Sequence, residues 1–369
     1  MRVHPYTIGV AFLVAAAVSA NAQQRDPRWG TSSAPSAQHG IPSAPPQASA
    51  ALTIYWSQIY EGAQFASGGV GLRNRGIGVI GISAAVSPIK AAWVYWAVIT
   101  DGKPTKENGE ITIKRLFPVP TKSNMKTASV VLTGFPVGTA PTTPCWLGNT
   151  TTVYRAEVSP NLATGNGLYE VSTVSGSSGG EDPWLVSPLP ELEGASLVVI
   201  GQGSATVARY DQMISGKGAN LSGHEFNADP GFSYDLTLPT LPKGANISSA
   251  TQVLFLNIGA DGQSVLQSLT DNSGISDKVT TINKMQVAGP PGVGGTLDNV
   301  PDWDGAVAGP LPQLWDDNTH DITSVIQGGG NISSLPVSIA GGTDAQGGSD
   351  CLVTVANVLA ITAQSGSSP

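Results

Sequence analysis

Three short motifs in this chain have residue types and spacings that could carry chemistry. Gly76-Ile-Gly78-Val-Ile-Gly81 has the G-x-G-x-x-G spacing of a dinucleotide-binding turn, with Asp101 downstream in the place of a ribose-binding acid. Such a turn must leave a buried strand and open a helix, whose N-terminus holds the pyrophosphate. Here the preceding "FASGGVGLRNR" is not a buried strand, and Pro88 would break the helix. The glycines read as strand and bulge residues instead. Ser87-Pro-Ile-Lys90 has the S-x-x-K spacing of a serine nucleophile and its lysine. That serine must open a helix, whereas this one precedes a strand-like run and has no Lys-Thr-Gly partner. Lys90 reads as a charge at the start of the strand. The third motif is "DNVPDWDG", residues 298–305. Val300 stands at the first ligand position of an EF-hand register and no Glu follows at the twelfth, so an EF-hand is excluded. Asp298, Asp302 and Asp304 still offer oxygen ligands to calcium in a looser geometry. The competing reading is a set of Asx turns shaping a polar loop.

Other chemistries leave less trace. The chain has no G-x-S-x-G, H-E-x-x-H or P-loop, and beyond its first residues only His39, His224 and His320. No residue is therefore assigned a catalytic role. A carboxylate pair for glycoside hydrolysis would draw on acids such as Asp302, Asp304 or Asp317. Trp184, Trp303 and Trp315 are candidates for ligand contact, because an indole ring can stack on the C–H face of a sugar.

The elements that must position these residues begin after an N-terminal leader. Arg2, the apolar run "IGVAFLVAAAV" and Ala20-Asn21-Ala22 have the layout of a secretory signal peptide over residues 1–22. Residues 23–50 are rich in Pro, Ser, Ala and Gln and read as a disordered linker. No later run is long enough for a membrane helix; "AAWVYWAVI" is flanked by Lys90 and Asp101. The reading is a secreted, extracellular or envelope protein. Charged residues are 12% of the chain, about half the usual share. The net charge is −8, and no Lys or Arg follows Lys284, which disfavours nucleic acid as a partner. In an oxidising compartment Cys145 and Cys351 either form a disulfide or stay as two buried thiols.

From Leu52 onward the pattern is short runs rich in Val, Ile, Thr and aromatics, broken by Gly, Pro and Asn. Examples are "GIGVIGIS", "AAWVYWAVI", "EITIKRLF", "ASVVLTGF", "ASLVVIG", "TQVLFLNIG" and "CLVTVANVLAIT". These predict strands, with one short helix candidate at 263–272. Trp93 and Tyr95 should share one strand face and Trp96 the other. One pattern occurs twice. "KAAWVYWAVITDG" (90–102) is echoed by "SATQVLFLNIGADG" (249–262), and "GASLVVIGQ" (194–202) by "SDCLVTVANV" (349–358). Between them, Glu157-Val158-Ser159 is echoed by Asp321-Ile322-Thr323. The expectation is two related antiparallel β-sandwich, jelly-roll-like units in tandem, at 51–210 and 211–365.

At "IKAAWVYWAVITDG", "YRAEV", "GNGLYEV", "GASLVVIG" and "WDDNTHDIT", and at "DCLVTVANVLAIT", the chain resembles a family of secreted bacterial domains of unknown function. The resemblance covers about residues 65–362 and implies a tandem β-sandwich with surface or adhesive roles. It brings no catalytic signature, and Glu157 stands where the family pattern has Asp. The functional expectation is a non-enzymatic β-sandwich protein in adhesion, matrix or carbohydrate contact, with an extracellular glycan or surface protein as partner. A polysaccharide hydrolase and a structural subunit of an extracellular assembly are the alternatives. Calcium is the only cofactor foreseen.

Overall fold

A computed structural model describes residues 50–51, 53–73, 75–85, 87–102, 104–119, 128–143, 149–173, 189–213, 224–225, 232–243, 245–261, 279–288, 315–327, 332–340 and 351–363. Residues 1–22 with the signal-peptide layout, nearly all of residues 23–50, the 263–272 helix candidate, Cys145, Trp184, Asp298, Asp302, Trp303 and Asp304 lie outside them. The Cys145–Cys351 pairing is therefore outside them too.

Among the described residues the chain is nearly all strand. In order, the first half holds β1 (Ala50–Ala51), β2 (Thr53–Gly71), β3 (Ile77–Ile82), β4 (Ile89–Thr100), β5 (Glu110–Phe117), β6 (Ser129–Thr133), β7 (Phe135–Thr143), β8 (Asn149–Glu157), β9 (Gly167–Ser172) and β10 (Glu191–Gln202). The second holds β11 (Ala205–Met213), β12 (His224–Glu225), β13 (Phe232–Thr237), β14 (Ala250–Asp261), β15 (Val279–Ile282), β16 (Met285–Ala288), β17 (Trp315–Asp321), helix α1 (Thr323–Gln327), β18 (Ser334–Ala340) and β19 (Cys351–Ala363). No helix among them is long and apolar enough to cross a membrane. All of the G-x-G-x-x-G segment after Gly76 lies in strand β3, and Lys90 Nζ donates to the carbonyls of Glu61 and Gly62, at 2.5 and 2.7 Å.

The strands form three sheets, antiparallel except for the β1–β13 pair. A ten-stranded sheet runs β17-β14-β19-β11-β2-β10-β4-β8-β7, with β12 added beside β19. A four-stranded sheet, β3-β9-β5-β6, and a five-stranded sheet, β1-β13-β18-β15-β16, complete the fold. The sequence echo falls on corresponding strands: β4 lies between β10 and β8, as β14 lies between β19 and β17. The orders β3-β9-β5-β6 and β13-β18-β15-β16 also correspond. The first half of the chain meets the second where β2 pairs with β11.

Burial follows from this layering. β5 alternates, with Ile111 and Ile113 inward and Lys114 exposed, as expected for a sheet covered on one side. β10 is buried along its whole length apart from Gln202, because the ten-stranded sheet is covered on both faces. One face packs on the four-stranded sheet through Trp96, Val98, Ile113, Tyr154 and Leu197. Beside it, Phe255, Leu359 and Ile361 pack on the five-stranded sheet through Tyr234, Leu236 and Val337. The other face closes on itself: the two arms of the ten-stranded sheet enclose Tyr95, Ala97, Val198, Leu256, Ile258, Trp315 and Val358. Trp93 and Tyr95 face this inner layer, whereas Trp96 is fully buried on the other side and stacks on Tyr154 at 5.5 Å.

The arms come this close because glycines leave room for Trp315. A Cβ at Gly194 would sit 2.4 Å from the Trp315 ring. Neither the indole nor the strand backbone can yield cheaply. Gly194→Ala should therefore lower stability by about 1–3 kcal/mol, read as the shift of a urea midpoint. An unchanged midpoint would show that the ring has room to move.

Candidate functional site

Two polar constellations interrupt the inner apolar layer, and both join strands that are not neighbours in the sheet. The first centres on Asp211 of β11. Its Oδ1 accepts from the Tyr95 hydroxyl at 2.7 Å and from Arg209 Nη1 at 2.6 Å. Arg155 of β8 forms an ion pair with its Oδ2, and Arg209 also donates to the Tyr95 hydroxyl oxygen. Tyr95, Arg209 and Asp211 are fully buried. Burial raises the Tyr95 phenol above its ordinary value, and the Arg209 charge opposes the rise.

This buried network extends to a partly exposed aromatic rim. Arg209 lies 4.0 Å from the Trp93 ring centroid, and Arg155 lies 5.3 Å from Trp93 and 5.6 Å from Phe135. Each guanidinium is thereby held by ring electrons as well as by Asp211. Trp93 Nε1 donates to the Tyr60 hydroxyl at 3.1 Å. Burial raises the Tyr60 phenol, with the Trp93 hydrogen bond and Arg209 opposing. Strand register places Glu157 beside Trp93 and Phe135 beside Arg155. Phe135 is 47% exposed and Glu157 is exposed, while Arg155 is only 13% exposed at its side chain. The rim thus offers ring faces, a phenol and a carboxylate side by side.

The second constellation joins β17 to β2 and β10. Trp315 Nε1 donates to Ser196 Oγ at 2.9 Å, and Ser67 Oγ donates to Asp317 Oδ1 at 2.6 Å. Asp317 Oδ2 is buried. Burial pushes this carboxyl up to about 6, against the lowering effect of the Ser196 and Ser67 hydroxyls. A third ionic group, Arg73 with Glu191 and Glu193, is fully sealed.

Of the candidates read from the sequence, Trp315 and Asp317 lie among the described residues. Trp315 is completely buried and serves as packing between the arms, so its ring faces are occupied. Asp317 meets serines, and only burial and those hydroxyls shift its carboxyl. Among the described residues no group of three or more His, Cys, Asp or Glu could hold a metal. Sequence reasoning passed over Tyr60, Arg155, Arg209, Asp211 and Phe135. A signal existed: in "ATVARYDQM", Arg209 and Asp211 share the strand parity of the buried Val207.

No protein-family model matches the chain, and no curated protein matches it. Among solved structures, a peptide-N(4)-(N-acetyl-β-D-glucosaminyl)asparagine amidase is similar at TM-score 0.28 and 10% identity, over 81% of this chain and 96% of that one. PNGase F from Flavobacterium meningosepticum, a glycosylasparaginase, is similar at TM-score 0.27 and 11% identity, over 78% and 89%. The extracellular domain of ANXUR2 from Arabidopsis thaliana is similar at TM-score 0.23 and 8% identity, over 84% and 89%. Scores at this level carry no argument about site or activity.

The Asp317 geometry has a pH consequence. The folded chain binds this proton more tightly than the unfolded chain, whose carboxyl titrates near 3.8. Stability from this group is fully present below 3.8 and is lost as pH rises to about 6. The loss is on the order of 2–3 kcal/mol. Asp317→Asn should remove most of that slope in urea titrations run across the interval. An unaltered slope would show that Asp317 is not the group responsible.

Proposed function

We propose that this chain is an extracytoplasmic binding protein, built from two related β units, that contacts carbohydrate at the Phe135–Arg155–Trp93–Tyr60 rim. The related-units part is supported by the corresponding strand orders of the two halves. The extracytoplasmic part rests on the leader-like residues 1–22. The carbohydrate part rests on one observation: aromatic rings alternate with a guanidinium at a surface where Phe135 is exposed and Glu157 stands beside Trp93.

That arrangement suits a sugar for physical reasons. A pyranose presents apolar C–H faces and hydroxyl edges. The faces pack on rings such as Phe135. The hydroxyls take hydrogen bonds from the Tyr60 phenol and give them to the Glu157 carboxylate. Because Asp211 and the rings fix Arg155, little side-chain freedom would be lost on binding.

The test is calorimetric titration of the whole chain with neutral and acidic oligosaccharides. Phe135→Ala is the informative variant, since Phe135 is half exposed and its loss should leave the fold intact. Binding should weaken roughly tenfold, about 1.4 kcal/mol, with an unchanged melting temperature. Oligosaccharide affinity that ignores this substitution would move the contact elsewhere. No binding to any oligosaccharide would remove the reading.

A further inference from the structure

The two small sheets have corresponding strand orders, so each is a control for the other. Both bury their inner faces against the ten-stranded sheet. Their outer faces differ. On β13 and β18 of the five-stranded sheet the outward positions are Ser233, Asp235, Thr237, Ser334, Pro336 and Ser338, between the buried Tyr234, Leu236, Leu335 and Val337. On the four-stranded sheet the outward positions include Ile77 (52% exposed), Val79, Phe117 (58%), Val131 (59%) and Leu168. The fold does not require this much apolarity, because the matching sheet carries far less of it, with Pro336 outward on β18 and Met285 exposed on β16. Apolar side chains spread over all four strands of one face mark a contact surface.

The charges on that face select the occupant. Lys114 and Glu170 sit opposite each other on its two central strands, with Nζ and Oε1 3.4 Å apart. Lys114 is 48% exposed and Glu170 28%. A two-fold axis running along the strands between them would place the Lys114 of one copy over the Glu170 of another, and the reverse. The pair is neutral, whereas the chain carries −8. Copies that repel elsewhere can therefore meet here. We propose that the outer face of the four-stranded sheet is a self-association surface, on which a second copy of this chain packs sheet to sheet about a two-fold axis.

The face is small. Four strands span about 19 Å and six residues about 20 Å, below the roughly 800 Å² per partner of a standard interface. The dimer is accordingly weak and concentration dependent.

Sedimentation velocity on the whole chain tests this, from micromolar up to about 1 mM. A monomer–dimer equilibrium is expected, and Phe117→Ser should shift it toward monomer by roughly tenfold. Lys114→Glu and Glu170→Lys separately put like charges opposite each other, so each variant alone should be monomeric. Mixed one to one, they should form a heterodimer, since each then supplies the charge the other lacks. That recovery cannot come from repair of the contact within one chain. A chain monomeric at every concentration overturns the proposal. So does a polydisperse aggregate, or a mixture that stays monomeric while native chain dimerises.

Discussion

The carboxylate of Asp211 is the interaction on which the arrangement of the arms depends. It is sealed from water and receives groups from three strands: Tyr95 of β4, Arg155 of β8 and Arg209 of its own β11. Among these, β11 belongs to one arm of the ten-stranded sheet and β4 and β8 to the other. Desolvating such charges offsets most of their attraction, so the network adds little net stability over an apolar packing. What it adds is position. Losing one partner strands a buried charge, which commonly costs several kcal/mol. Only one offset of the arms satisfies all the partners. The apolar layer would tolerate sliding; the charges do not. Trp93, Tyr60 and Phe135 inherit their places at the rim from that fixed offset.

Much of the fold was legible because burial on one or both sides leaves different traces. "EITIKRLF" alternates and forms β5 over the same residues, and the long apolar runs "AAWVYWAVI" and "TQVLFLNIG" are the doubly covered β4 and β14. The split of Trp93 and Tyr95 from Trp96 follows from strand parity alone. What parity cannot show is which strands face each other across a layer. Asp211 and Arg155 are 56 positions apart, and Ser67 and Asp317 are 250. Their meeting depends on how the ten-stranded sheet folds back, and no local pattern encodes that. Trp315 looked like a ligand platform because nothing near it in sequence announces Gly69 and Gly194, the glycines that receive it.

The two halves also divide their labour unequally. Each covers the central sheet with a small sheet of corresponding order, yet the aromatic rim lies in the first half with Arg209 and Asp211 supplied by the second. The second half supplies Trp315 and Asp317 as the matching seal against β2 and β10. Each half thus completes a polar cluster that the other begins.

Strand β2 carries a further consequence. Over Ala63–Gly71 it pairs with β10 of its own half, and over Thr53–Ala63 with β11 of the other. Each half therefore joins the other through its own first long strand, as two separate molecules would across a shared sheet. Tethering them in one polypeptide turns that encounter into a unimolecular step, at an effective concentration of about millimolar for short connections. Dilution cannot part the halves. Without β11, the Thr53–Ala63 stretch of β2 would be a bare edge strand.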